Sequence, residues 1–263
     1  MNPPNPAAYL VTQGSFAALT LLCLALVLRG LWLTLASMGY PPARRKRVVF
    51  FTAAGLAAWL AYTAALSLTG LAGDFSSFPP PMMPLVLLPP LVVALVLTFS
   101  GRFGVVLRHV PVQWLLSLQS FRVAVEVLLW ALHGQGLLPV QMTFEGLNFD
   151  VLTGITAPLA AYLVTTRPRW RRPILLGWNL AGLALLATIV VISILSLPTP
   201  LRAFPNEPAN TIVTRFPFSW LPGFLVPLAY TLHFFALRKL ITNYELQMTT
   251  AGHGNRSLTG TNQ

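Results

Sequence analysis

The sequence predicts an all-α polytopic membrane protein, a bundle of seven transmembrane helices with the N-terminus outside and the C-terminus in the cytoplasm. Three observations carry this. Hydrophobic residues make up 55% of the 263 residues and charged residues only 9%, where a soluble domain carries about 25% charged residues; mean hydropathy is +0.69. Seven segments, at about 13–38, 48–70, 83–100, 113–134, 149–166, 174–196 and 219–241, approach the roughly 20 apolar residues that a spanning helix needs. The connections between them alternate between basic and base-poor, the charge bias that orients membrane helices with positive loops in the cytoplasm.

The elements follow in order. The leader MNPPNPAAYL holds no lysine or arginine, and the apolar run after it is too long for the short core of a cleavable signal peptide, so it is expected to remain as the first span. PPARRKR, with Arg44, Arg45, Lys46 and Arg47, separates spans one and two. GDFSSFPPP, with one acid and no base, leads to span three, which is short and holds Pro84, Pro89 and Pro90. Arg102, Arg108 and His109 precede span four, and EGLNFD, with Glu145 and Asp150, precedes span five. Asn148 or Asp150 is expected to cap that fifth helix by accepting from free first-turn amides; the alternative for this stretch is a cation site built with Asp74. Span five carries Pro158, and RPRWRR follows it. The connection from Leu197 to Phe218 is proline-rich and breaks the charge pattern with Arg202 and Arg215. Prolines at 84, 89, 90, 158, 222 and 227 predict kinked or broken helices whose freed carbonyls can line an interior site. Residues 1–245 form one transmembrane domain, and the polar stretch 246–263 reads as a disordered cytoplasmic tail.

The net charge of +11 does not imply nucleic-acid binding, because the bases sit in short clusters between apolar runs; membrane lipids are the nearer anionic partner. Cys23 is the one cysteine and lies in an apolar run, which makes it a packing residue rather than part of a disulfide or metal site. No HExxH, GxSxG, P-loop or GxGxxG motif occurs, and neither metal nor cofactor is expected. A retinal Schiff base needs a lysine inside the last helix, whereas Lys239 stands at its end; a bis-histidine haem needs histidines at one depth, whereas His133 and His233 lie in opposite halves.

Span four carries the polar residues that ask for an explanation. Gln119, Arg122, Glu126 and His133 fall on one helical face, joined by Trp130. An arginine at the centre of a spanning helix costs about 2.5–3.5 kcal/mol, so this face is expected to point into the bundle or into water. Arg122 and Glu126, four residues apart, can pair along the helix. Counting about 1.5 Å per residue from the cytoplasmic ends of the spans puts Arg29, Gln119, Arg122, Asn179 and His233 in one layer of the cytoplasmic half, with Glu126 one turn above. These six residues form the candidate ligand-binding site. Two arginines against one glutamate favour a small anionic solute or a lipid headgroup in a transporter-like or binding protein. Two alternatives stay open: an accessory or assembly subunit, bound to another membrane protein, whose polar stripe only locks helix packing; and a membrane enzyme with Glu126 as base and His233 as acid.

The stretch LQSFRVAVEVLLWALHGQGLLPVQMTFEGLNFD, with the later FPFSWLPGFLVPLAYTLHFFALRKL, resembles an uncharacterised family of bacterial multi-pass integral membrane proteins with no assigned activity. The resemblance implies a location in the bacterial cytoplasmic (inner) membrane and transfers no site or substrate.

Overall fold

The computed structural model describes residues 5–241, and the expected tail at 246–263 lies outside the described residues. Among the described residues the chain is helical and has no strand. We number its helices α1 (Pro6–Ser37), α2 (Pro42–Leu68), α3 (Met83–Phe99), α4 (Gly101–His109), α5 (Val112–Gly134), α6 (Val151–Thr166), α7 (Pro168–Leu195) and α8 (Leu221–Ile241). Five of them, α1, α2, α5, α7 and α8, are long and apolar enough to cross a membrane. The third expected segment meets that test only together with α4, from which an 80° bend divides it. The fifth is an apolar helix of 16 residues.

Local sequence explains the boundaries. Asn5 caps α1 by accepting from the Ala7 amide at 3.0 Å, and Pro6 fills the first helical position, where its missing N–H costs nothing. Proline likewise opens α2 and α7. Helices α3 and α8 both begin with a widened π-helical turn, Met83–Leu87 and Leu221–Leu225, and the two turns pack against each other. A proline in a helix leaves the carbonyl four residues earlier without its usual donor. Pro227 does so to Gly223, whose oxygen accepts instead from Trp59 Nε1 at 2.8 Å. The carbonyl freed by this break is therefore taken up by helix packing.

The bend between α3 and α4 is held by the end of α8. Arg238 donates to the Leu97 and Thr98 carbonyls. Lys239 Nζ donates to the Leu107 and Arg108 carbonyls at 3.0 and 2.6 Å. These are last-turn carbonyls of α3 and α4, the negative ends of both helices, so two cations satisfy groups that the helices themselves leave open.

Burial sets the centre of the bundle. Half of the most apolar window of α5 is buried, and 44% of that of α8, against 17% for α1 and 11% for α2. The outer helices turn large apolar side chains such as Leu10, Leu22, Phe50 and Phe51 outward. That surface is consistent with a membrane-embedded protein, while α5 carries its polar face into the interior.

Candidate functional site

The interior network is built around Arg122 of α5, which is 2% exposed. Its Nε donates to Asp150 Oδ2 at 2.6 Å, and its Nη2 donates to Asp150 Oδ1 to complete a two-pronged ion pair. Nη1 lies 2.9 Å from His233 Nε2 on α8. A guanidinium can only donate, so Nε2 accepts, the imidazole is neutral, and its proton sits on Nδ1. From there it donates to Asn179 Oδ1 of α7 at 2.8 Å. Asn179 in turn donates to the Leu175 carbonyl at 2.6 Å. One line of bonds thus joins α6, α5, α8 and α7.

A second branch runs through Glu126, one turn further along α5. Both carboxylate oxygens accept from Asn148 Nδ2 at 2.7 Å. The same amide nitrogen reaches the Met142 carbonyl at 3.1 Å, and Asn148 Oδ1 accepts from the Asp150 backbone at 3.2 Å. Gln119 donates to the Ala229 carbonyl at 3.0 Å, tying α5 to α8. Its Oε1 and the Thr153 hydroxyl are buried and have no hydrogen-bond partner among the described residues.

Two glycines permit this geometry. A Cβ on Gly154 would lie 2.8 Å from the backbone nitrogen of Val123, so only glycine lets α6 approach α5 closely enough for Asp150 to meet Arg122. A Cβ on Gly182 would lie 2.5 and 2.7 Å from His233 Cε1 and Nε2, so the bare backbone of α7 makes room for the imidazole.

Five of the six expected site residues, Gln119, Arg122, Glu126, Asn179 and His233, are buried together. Arg29 does not join them: it is exposed, with no ion pair among the described residues. Depth counted from the helix end misled here. A Cβ on Gly30 would lie 2.6 Å from Trp114 Nε1, so Arg29 stands level with the start of α5, about 12 Å from Arg122 along the axis. Helix α1 overhangs that level by about 10 Å.

The expected pairing of Arg122 with Glu126 is replaced by Arg122 with Asp150 and Glu126 with Asn148. The expected cap is corrected with it. Asp150 stands at the N-cap of α6, but its side chain makes no capping bond. A cap is worth about 1 kcal/mol, whereas a buried charge stripped of its partner costs about 3–5 kcal/mol, so the carboxylate goes to Arg122. Asp150 and Asn148 are the residues that sequence reasoning misassigned; the signal was EGLNFD ahead of a helix too short to span. The rest of the α5 stripe is not one environment. Trp130 is 46% exposed and donates to Glu145 at 2.9 Å, while His133 Nδ1 donates to the Leu138 carbonyl at 2.8 Å.

Asp74, the alternative partner of EGLNFD in a cation site, accepts instead from the Ser76 amide at 2.9 Å. Hydrogen bonds from Ser76 hold its pKa below the usual carboxylate value. Among the described residues no cluster of three or more His, Cys, Asp or Glu side chains is arranged to hold a metal.

The charge count of the interior differs from the sequence expectation. With Arg29 outside and Asp150 inside, one guanidinium faces two carboxyl groups, and the imidazole is neutral. Glu126 accepts no hydrogen bond from a cation. Two cavities, of about 260 and 400 Å³, lie elsewhere: one borders Gly30 and Trp114, the other Gly55 and Trp59.

Residues 79–241 match the family model described as Domain of unknown function (DUF8737). The matched stretch contains every residue of the network and excludes α1, α2 and Arg29. No curated protein and no solved structure matches the chain.

Proposed function

We propose a function for a chain that belongs to the DUF8737 family, a domain of unknown function: a multi-pass protein of the bacterial cytoplasmic membrane, transporter-like or binding, whose intramembrane site around Glu126 takes up a proton or small monovalent cation. The observation that carries it is the interior charge count, two carboxyl groups against one arginine whose hydrogen bonds go to Asp150 and His233. Isolated charges are costly inside a membrane, and a proton or cation at Glu126 neutralises the surplus. The buried, unbonded oxygens of Gln119 and Thr153 are acceptors of the kind such an ion or its water uses. The anionic solute or lipid headgroup expected from sequence rested on a second arginine in the same layer, and that arginine is elsewhere.

The topology belongs to the same proposal. Five long helices, the bent α3 and the short α6 make seven crossings, with the N-terminus outside and the C-terminus in the cytoplasm. Helix α4 turns aside to lie along the cytoplasmic face. Helix α6 covers about 24 Å of a roughly 30 Å core. The remainder is a 3-10 turn at Val140–Met142 followed by irregular chain, in which Gln141, Met142, Thr143, Asn148 and Asp150 are buried, and such backbone is tolerated at membrane depth where protein shelters it.

Infrared difference spectroscopy of the full chain in lipid tests the reading directly. A protonated-carboxyl band should appear and disappear with pH or added sodium, vanish in Glu126→Gln and persist in Arg29→Gln. A spectrum with no carboxyl band that Glu126→Gln removes would refute it. A second reading, the accessory subunit, is favoured by the closure of the network, since Nε, Nη1 and Nη2 of Arg122 all find partners within the chain. It predicts a stoichiometric membrane partner in mild detergent and a Glu126→Gln variant that assembles normally. The enzyme alternative gains nothing from this geometry, because both ring nitrogens of His233 are already bonded.

A further inference from the structure

The groove between α1 and the start of α5 holds about 260 Å³ and is lined by Gly30, Thr34, Ser37, His109, Gln113 and Trp114, among others. It runs from the level where α5 begins to Ser37, the last residue of α1. In the proposed topology that is the depth of cytoplasmic headgroups. Three features of the groove ask for an anion. Trp114 Nε1 is a donor with no acceptor among the described residues. Arg29 is not itself a lining residue but stands next to Gly30 and one turn before Leu33, both of which line the groove. No described carboxylate answers it: Asp74, Glu145, Asp150 and Glu207 lie in the base-poor or proline-rich connections, and Glu126 is in the interior network. Two more cations gather at the same end of α1, with Arg44 over the Tyr40 ring at 4.2 Å and Arg45 over the Trp32 ring at 4.6 Å.

We propose that this groove seats the headgroup of an anionic glycerophospholipid, its phosphate held by Arg29 and Trp114 Nε1. A membrane lipid fits better than a soluble phosphate because Leu33, an exposed apolar residue of α1, lines the groove. An arginine there reaches outward along its stem to the headgroup layer while its methylenes stay on apolar surface. A guanidinium–phosphate contact is the strong, charge-assisted kind. Gly30 gives the site its depth, since a Cβ there would press into the indole ring.

The inference needs the membrane reading but not the cation site, and its test leaves Glu126 untouched. The full chain is extracted from nanodiscs of phosphatidylcholine doped with phosphatidylglycerol, and bound lipid is read by native mass spectrometry. The wild type should keep one phosphatidylglycerol per chain. Arg29→Gln should weaken retention about tenfold, the loss of one charge-assisted hydrogen bond. Gly30→Ala should weaken it as well while keeping every charge, because its Cβ displaces the indole; thermal unfolding of the same variant in detergent separates that displacement from overpacking of the bundle. Arg215→Gln, in the α7–α8 connection, should retain lipid normally. Equal retention in wild type, Arg29→Gln and Gly30→Ala would overturn the proposal, and so would displacement of the lipid by inorganic phosphate at equal concentration.

Discussion

Arg122 and Arg29 are both single arginines inside apolar helices, and the chain treats them in opposite ways. Arg122 is 2% exposed, on the helix with half of its apolar window buried, and is met by Asp150 and His233. Arg29 is exposed on a helix with 17% of its apolar window buried and meets no acid among the described residues. The difference does not come from the residue or from its distance to a helix end. It comes from the position of the helix in the bundle and from what its neighbours bring to the same height. An arginine in the core must be answered by the chain; one at the rim can be answered by the surroundings.

The sharpest break in this comparison is removal of Asp150. Asp150→Ala leaves Arg122 buried beside a neutral imidazole, and loss of one partner of a buried ion pair costs about 3–5 kcal/mol. Thermal unfolding in detergent should register a larger drop for this substitution than for Gly182→Ala or Arg29→Gln. The double variant Arg122→Met, Asp150→Leu removes both charges and should recover most of that loss, because apolar replacement of a whole pair is often neutral. A double variant as unstable as Asp150→Ala would mean that the pair does more than satisfy itself.

Next in size is the bare backbone beneath the imidazole. Gly182→Ala sets a methyl against His233 at 2.5 Å, and overpacking of this kind costs about 1–3 kcal/mol. The imidazole must shift, which lengthens its bonds to both Asn179 and Arg122. The chemical shift of a labelled His233 should move in Gly182→Ala, and the infrared carboxyl signal should change with it if Glu126 senses the network. Alanine at Gly177, where an added Cβ meets nothing within 4 Å, is the matched control and should leave both signals in place.

Much of the interior was legible because hydrocarbon and protein cores impose the same sorting. Helical spacing put Gln119, Arg122 and Glu126 on one face, and the cost of exposing that face turned it inward. Asn179 and His233 were found by depth alone. What depth could not see was the chain between helices. Asp150 and Asn148 sit in a connection, and a connection is ordinarily read as surface. Their burial follows from the shortness of α6, which starts well below the ends of its neighbours and draws EGLNFD down to the level of Arg122. The error over Arg29 has the same origin. Counting residues from a helix end presumes that all helices end on one plane, and α1 does not. The bend at α3–α4 was hidden because its cause lies in Arg238 and Lys239, more than a hundred residues away.

The smallest expected effect is the one that completes the comparison. Arg29→Gln removes a full charge from a long apolar helix, the same formal change as Arg122→Gln, yet it breaks no ion pair among the described residues and leaves no buried group without a partner. Exposed substitutions away from such features fall within about 0.5 kcal/mol of neutral, so unfolding of Arg29→Gln in detergent should coincide with wild type. In phosphatidylglycerol-containing nanodiscs the two should separate, with wild type the more stable, because only the wild type gains from a bound headgroup. A large loss in detergent alone would instead place Arg29 among the groups that hold the bundle together, and the contrast between core and rim would fail at its weaker end.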